Sequence, residues 1–341
     1  MEQKLIVGVI GLGFGQSHMQ AAMAYGAEIA AVCDTNVERL NARCDANNVP
    51  KNVRCTDWHD VVNNDRINAV IIASPDQLHR EMAVACLEAG KHVLCEKPLA
   101  LTREDMDAII AATKKTSAKC MVGQICRFTP AFVKAKELID AGEIGELFYV
   151  ESEYAHDYEK MLTSTPKHWR TDPLRHGVVG GGCHAVDLLR WIAGDPTEVF
   201  AYGVHKMLPM VPYDDTTISL IKFPNDVVGK VFVSTGCKRN YTMRSLFYGT
   251  RGTIICDNTS DHMQLFKIGA DGMTVNEQPE IIPIDINNHN TQHEFRIFAD
   301  HILHDTPVKM SAEEGAKSIE VCLSIVKSAK LGQAVKPDYE F

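Results

Sequence analysis

The sequence has no long apolar run. Its most hydrophobic stretches, such as Ala69 to Ala73, fall far short of the roughly twenty residues that span a bilayer. It has no block of Lys and Arg either: 35 of them against 44 Asp and Glu leave a formal charge of −9. Such a surface repels a phosphate backbone, which excludes general nucleic-acid binding. No C-x-x-C pair occurs among eleven scattered cysteines. The odd count and the spread through apolar segments predict reduced thiols in a cytoplasmic protein, not a disulfide framework. The opening Met1–Lys4 is charged and runs straight into an apolar stretch, which predicts no signal peptide. Internal repeats, low-complexity tracts, long linkers, a Ser–His–Asp arrangement and a Walker-type loop are all missing. Cys183, His184, His156 and His176 are metal-ligand types without metal-ligand spacing, so no metal is expected.

What is present is an ordinary globular composition, 45% hydrophobic and 23% charged over 341 residues, a length that suits about two domains. In the first third, apolar runs alternate with helical patterns. Leu5–Ile10, Ile29–Cys33, Ala69–Ala73, His92–Cys95 and Lys119–Val122 read as buried strands. Ser17–Tyr25, Val37–Ala46, Asp57–Val62, Leu78–Ala89 and a segment capped by Thr102 with Asp105 read as helices. This alternation predicts an α/β, doubly wound Rossmann domain over residues 1–124 with a parallel sheet. From 125 to 341 the pattern changes. A helix over Pro130–Ala141 is followed by strand-like runs from Leu147 to Lys267 separated by turns, with one helix at His184–Ile192 among them. Helices over Gln292–Leu303 and Ala312–Ala329 follow. Consecutive strands predict an α+β domain with a mainly antiparallel open sheet.

Between the first strand and first helix lies Gly11-Leu-Gly13-Phe14-Gly15. Such a turn aims backbone N–H groups and the positive helix end at a phosphate. Gly11 suits the tight turn and Gly13 the close approach of a pyrophosphate. The third glycine stands at 15, where the G-x-G-x-x-G pattern has it at 16, occupied here by Gln16. Asp34 ends the second strand about twenty residues on, where an acid accepts both ribose hydroxyls and repels a 2′-phosphate. This favours NAD over NADP. Arg39, a turn into the next helix, leaves room for some NADP use, and Asp34 also suits a helix N-cap.

Ser74-Pro75, Glu96-Lys97-Pro98 and Gly180-Gly-Gly182-Cys-His184-Ala-Val-Asp187, taken with these features, resemble the Gfo/Idh/MocA oxidoreductases over nearly the whole chain. The resemblance implies a nicotinamide between the Rossmann domain and the open sheet of the second domain, with Lys97 close to the reacting carbon. It implies cofactor contacts from Phe14, Ser74, Pro75, His79, Glu96, Lys97 and Arg127. A Lys beside a substrate oxygen stabilises developing negative charge. His184 matches the family's catalytic histidine, and its proton affinity near neutrality suits a base; a helix-capping histidine is the plainer alternative. The acid the family places four residues earlier is here Gly180, so the Lys–Asp–His set is incomplete. Asp187, one turn on, suits the substrate, the histidine or the helix start.

His156, Tyr158, Trp169 and Arg170 lie just upstream in segments rich in aromatic and basic residues. They suit a hydroxyl-rich ligand with a ring stacked on a sugar face; a solvated loop with one packed Trp is the alternative. The implied activity is NAD-dependent hydride transfer to or from a secondary alcohol of a sugar, cyclitol or sugar derivative. Two further outcomes stay open: redox-neutral glycoside cleavage with tightly held NAD, and a non-catalytic nucleotide-sensing regulator. The resemblance also implies a homodimer or homotetramer paired through the open sheet.

Overall fold

Residues 4–165, 167–269, 271–286 and 289–341 are described by the structure, a computed structural model; the first three residues of the charged opening stretch lie outside it. The chain divides into two units. One runs to Gln124 and takes in Asn290–Ala316 and Phe341; the other holds Ile125–His289 and Lys317–Glu340. Residues 290–316, grouped with the second domain above, thus pack in the first unit.

In the first unit β1 (Ile6–Ile10), β2 (Glu28–Cys33), β3 (Arg54–Cys55), β4 (Ala69–Ile72), β5 (His92–Glu96) and β6 (Cys120–Gly123) form one parallel sheet in the order β3-β2-β1-β4-β5-β6. Val7, Val9, Val93 and every residue of β4 are fully buried. Cover on both faces is why these strands are continuous apolar runs and not alternating ones. Helices α1 (Gly15–Tyr25), α2 (Val37–Ala46), α3 (His59–Val62), α4 (His79–Glu88) and α5 (Arg103–Thr113) connect the strands. Thr102 caps α5 by accepting the Asp105 N–H, as its spacing predicts. The strand order reverses between β1 and β4, which opens a crevice at their carboxyl ends.

The second unit opens with α6 (Pro130–Asp140) and β7 (Leu147–Ala155). Next come α7 (Glu159–Thr163), α8 (Gly177–Gly180) and α9 (Cys183–Ala193). Seven strands follow: β8 (Glu198–Val204), β9 (Thr216–Lys222), β10 (Val228–Ser234), β11 (Arg244–Gly249), β12 (Gly252–Asp257), β13 (His262–Lys267) and β14 (Glu280–Pro283). The sheet order is β14-β13-β12-β11-β7-β10-β9-β8. Among the described residues, only the β7–β10 pair of this sheet is parallel. Along β9, Thr217, Ser219 and Ile221 are buried while Ile218, Leu220 and Lys222 are exposed, the period of a sheet covered on one face. Two C-terminal helices, α10 (Thr291–Leu303) and α11 (Ala312–Leu331), close the chain, with α10 packed on α1 inside the first unit.

Candidate functional site

In the first unit, the turn after β1 has the conformation its glycines suggest. Gly11 sits at φ +88°, and a Cβ there would lie 2.4 Å from the Ala73 carbonyl oxygen; only glycine fits. A Cβ on Gly13 would meet nothing within 4 Å, so the backbone has open space in front of it. Gly15 is the first residue of α1, and a Cβ on it would lie 3.0 Å from the Ala73 Cβ. The helix therefore begins one residue earlier than the usual pattern, and Gly15 does the close helix-to-strand packing assigned to the third glycine. Phe14 stands at the N-cap with no side-chain hydrogen bond to the first turn, while its carbonyl accepts the Ser17 N–H at 2.9 Å.

Asp34 follows β2 and is 4% exposed. Its Oδ2 accepts the Leu12 N–H at 2.8 Å, tying it to the glycine turn, and its Oδ1 accepts the Asn36 N–H at 2.8 Å. Arg39 donates to both oxygens at 2.8 Å. Burial works against the charge on Asp34, but these bonds outweigh it and hold the carboxyl below the ordinary range. An ionised acid at the head of the turn, with open space before Gly13, fits an adenosine ribose and pyrophosphate. NAD is therefore the cofactor these residues suit, with Arg39 the neighbour a 2′-phosphate would meet.

The turns after β4 and β5 are tied together by His79, which is fully buried. Its Nδ1 lies 2.7 Å from the Pro98 carbonyl oxygen and its Nε2 3.1 Å from that of Ser74. Both partners are carbonyl acceptors, one from each turn. Lys97 is half-buried, precedes a cis peptide to Pro98, and its N–H donates to Glu96 Oε2 at 3.1 Å. The Glu96 side chain turns inward: its Oε1 is 2.6 Å from His18 Nε2.

The second unit holds a different assembly. His184 is 6% exposed near the start of α9. Its Nδ1 is 3.6 Å from the Cys126 Sγ, its ring is stacked near Tyr154 with centroids 6.0 Å apart, and His289 stacks at 6.5 Å. The Tyr154 hydroxyl meets the Tyr158 hydroxyl at 2.7 Å and His156 Nδ1 at 3.3 Å. Tyr241 packs against both His156 and His289. Burial, reinforced by Tyr158 and Tyr241, pushes Tyr154 well above the usual phenol value, so its hydroxyl stays neutral. A cavity of about 210 Å³ is lined by Cys126, Tyr241, Met243, Asn258, Asp285 and His289, among others, and shares Cys126 with His184.

Around it, Trp169 carries the Arg170 guanidinium 4.1 Å above its ring, with that of Arg175 at 5.2 Å. Arg175 is buried and donates to the Gly180 carbonyl at 3.0 Å. A Cβ on Gly180 would lie 2.2 Å from its Cζ. The guanidinium thus occupies the place where a side chain at 180 would begin. Asp187 is fully buried with both oxygens engaged by Arg127, at 2.8 and 2.9 Å, and one also by the Ser318 hydroxyl. Arg127 and Asp187, candidates for cofactor and substrate, meet each other.

Cys126, Tyr241 and His289 join the His184 cluster without having been singled out in the sequence, and His18 joins Glu96 likewise. His18 follows the glycine turn by one helical turn, the signal that could have found it. Among the described residues no group of three or more metal-ligating side chains is present, no disulfide occurs, and no helix is long and apolar enough to cross a membrane.

Residues 5–124 match the family described as an oxidoreductase family with an NAD-binding Rossmann fold, and residues 132–255 match the GFO/IDH/MocA C-terminal domain. Myo-inositol 2-dehydrogenase of Thermotoga maritima is 30% identical over 75% of this chain and 76% of its own. Levoglucosan dehydrogenase of Pseudarthrobacter phenanthrenivorans is 29% identical over 74% and 73%. Among solved structures, levoglucosan dehydrogenase in complex with NADH superposes with a TM-score of 0.88 at 28% identity, covering 98% of this chain and all of that one. Its complex with NADH and L-sorbose gives 0.89 at 25% identity, covering 98% and 99%.

Proposed function

The chain belongs to the Gfo/Idh/MocA oxidoreductases, and from that premise we propose that it oxidises a secondary alcohol of a sugar, cyclitol or sugar derivative with NAD. The observation that carries this reading is a row at the carboxyl ends of neighbouring strands. The glycine turn follows β1, Asp34 follows β2, Ser74-Pro75 follows β4 and Lys97 follows β5. In an open parallel sheet that edge is where a dinucleotide binds.

Bound NAD supplies the hydride acceptor. Asp34 accepts the ribose hydroxyls, and the first-turn N–H groups of α1 receive the pyrophosphate. Phe14, Ser74, Pro75 and Arg127 are assigned to the cofactor side, with His79 holding the Ser74 and Pro98 turns. Lys97 hydrogen-bonds the substrate oxygen and stabilises the charge that develops as its proton leaves. His184 takes that proton as general base. His156, Trp169 and Arg170 form part of the substrate wall, with Tyr158 fixing Tyr154 behind His184. Asp187 steadies α9 through Arg127.

Nicotinamide absorbance tests this, with purified protein, NAD or NADP, and a panel of cyclitols, aldoses, sugar acids and glycosides. We expect steady NADH production with one class, reduced about 10²–10³-fold in Lys97→Ala. Full activity in that variant overturns the assignment.

A second reading rests on Gly180. With Arg175 where the family has an acid, the chemistry suits NAD that is reduced and reoxidised within one turnover, ending in glycoside cleavage. Nucleotide copurifying with the protein and glycosides disappearing without net NADH would favour it.

The exposed face of β8, β9 and β10 presents Tyr202, Val204, Ile218, Leu220 and Val228, an apolar strip that suits pairing of two copies. We assign a homodimer or homotetramer in the cytoplasm; a monomer by light scattering overturns the pairing.

A further inference from the structure

His18, Glu96 and Glu294 come from α1, β5 and α10 and meet inside the first unit. His18 and Glu294 are fully buried and Glu96 is 8% exposed. His18 Nε2 approaches Glu96 Oε1 at 2.6 Å, while its Nδ1 stands 3.7 Å from Glu294 Oε2, beyond hydrogen-bond range. Among the described residues neither Glu294 oxygen has a hydrogen-bond partner. Gly123 of β6 packs beside it, where a Cβ would sit 3.5 Å from Oε1.

Two carboxyl groups and one imidazole cannot all be charged here without leaving a net buried charge, which is costly. The balanced arrangement is one imidazolium, one carboxylate and one neutral acid. The distances select which is which: the short contact makes Glu96 the carboxylate and leaves Glu294 the proton. Proton affinities point the same way. Burial pushes Glu294 up to about 8, with His18 opposing and Glu96 assisting. Burial disfavours charge on His18, but the Glu96 bond and the two carboxyl groups raise its affinity above the ordinary value. Burial also opposes charge on Glu96, yet the His18 bond and the charges of His18, Lys97 and His79 hold it below the usual range.

We propose that Glu294 is a positioning residue for Lys97: while it keeps its proton, His18 stays committed to Glu96, and Glu96 fixes the main-chain N–H from which Lys97 projects. This rests on Lys97 being the group that acts on substrate. If Glu294 ionises, its Oε2 attracts the unbonded His18 Nδ1–H and draws the ring away from Glu96. The gap of 3.7 Å needs to close by only about 0.8 Å to reach an ordinary bond of roughly 2.9 Å. The groups facing this exchange are His18 from α1, Glu96 and Lys97 from β5 and the turn after it, and His79 from α4. Gly123 of β6 adds no charge.

Two substrate-free measurements decide it. Infrared spectra should show a protonated carboxyl band in the wild-type protein at neutral pH that titrates away as pH passes about 8, and the band should be missing in Glu294→Gln. Lysines carrying ¹³C-methyl groups should give a Lys97 resonance, assigned by its loss in Lys97→Arg. It should move over the same pH range in the wild type and stay still in Glu294→Gln. His18→Asn should abolish the coupled movement and leave the infrared band. No protonated carboxyl band, or a Lys97 resonance that titrates alike in wild type and Glu294→Gln, overturns the proposal. NADH formation with myo-inositol, wild type against Lys97→Ala, separately tests the catalytic reading on which it depends.

Discussion

The crevice of the first unit and the His184 cluster of the second are built from different materials. One is made of backbone and paired charge: a glycine turn, strand ends, Asp34 held by Arg39 and by the Leu12 N–H. The other is made of rings and a thiol gathered from segments far apart, with Cys126, Tyr154, Tyr241 and His289 around one histidine. A dinucleotide has the same phosphates and ribose everywhere, so main-chain geometry can receive it. A substrate varies from relative to relative, and side chains on long connections can be exchanged without disturbing the strands that carry them.

The largest blow to this contrast should come from Gly11→Val. At φ +88°, and with backbone atoms 2.4 and 2.7 Å from the new Cβ, strain and overlap should cost about 3 kcal/mol or more. Thermal melting should show it even without nucleotide. Gly13→Ala sharpens the point. With nothing within 4 Å, its fold should stay within about 0.5 kcal/mol of wild type, while calorimetry should show weakened NADH binding. Equal melting losses in both variants would mean that the turn is not held by the contact at Gly11.

A second test concerns charge. The Glu294 carboxyl is raised from 4.5 to about 8 in the fold. Its contribution to stability is therefore complete below about 4.5 and is lost as pH rises through about 8. Each pH unit in that window costs at most roughly 1.4 kcal/mol. Glu294→Gln carries no such loss. Its melting temperature relative to wild type should climb between about pH 5 and pH 8 and level off above; a difference constant with pH would show that Glu294 is ionised throughout.

What the sequence made legible follows the same division. Gly11, Asp34 and the Thr102 cap are local: each needs only its neighbours to be recognised. The third glycine at 15 looked displaced because the pattern counts residues, whereas the helix starts where Gly15 can lie against Ala73. β3 spans two residues and β14 four, too short for any alternation to register. α7 and α8 are single turns, and α8 carries glycine at both ends, a composition that reads as loop. Glu294 looks like one more polar residue of an amphipathic helix until α10 is laid against α1. His184 was marked by resemblance and the Tyr154–Tyr158 segment by its composition, but nothing near Tyr241 or His289 marks them as converging on the same cluster.

Within the first unit, Asp34→Ala should remove the proposed ribose acceptor and release Arg39. Loss of a charged hydrogen-bond partner costs about 1.5–3 kcal/mol, so NADH affinity should fall at least tenfold. NADPH should lose less, because the freed guanidinium can meet a 2′-phosphate. Fluorescence titration of both nucleotides measures the ratio, and a parallel loss would remove Arg39 from the discrimination.

The smallest effect belongs to the second unit. Tyr154→Phe deletes one hydroxyl and keeps the ring stacked near His184. The hydroxyl has two partners, Tyr158 at 2.7 Å and His156 at 3.3 Å, and Tyr158 is 3% exposed, so it loses a partner that water cannot readily replace. The expected cost is about 1 kcal/mol, read as a small drop in melting temperature. NADH affinity should not move, because the hydroxyl lies in the cluster assigned to substrate and not to nucleotide. Turnover should fall if Tyr154 holds His156 and Tyr158 at the substrate wall. A loss of nucleotide affinity instead would mean that rings and backbone are not divided between the two ligands as their materials suggest.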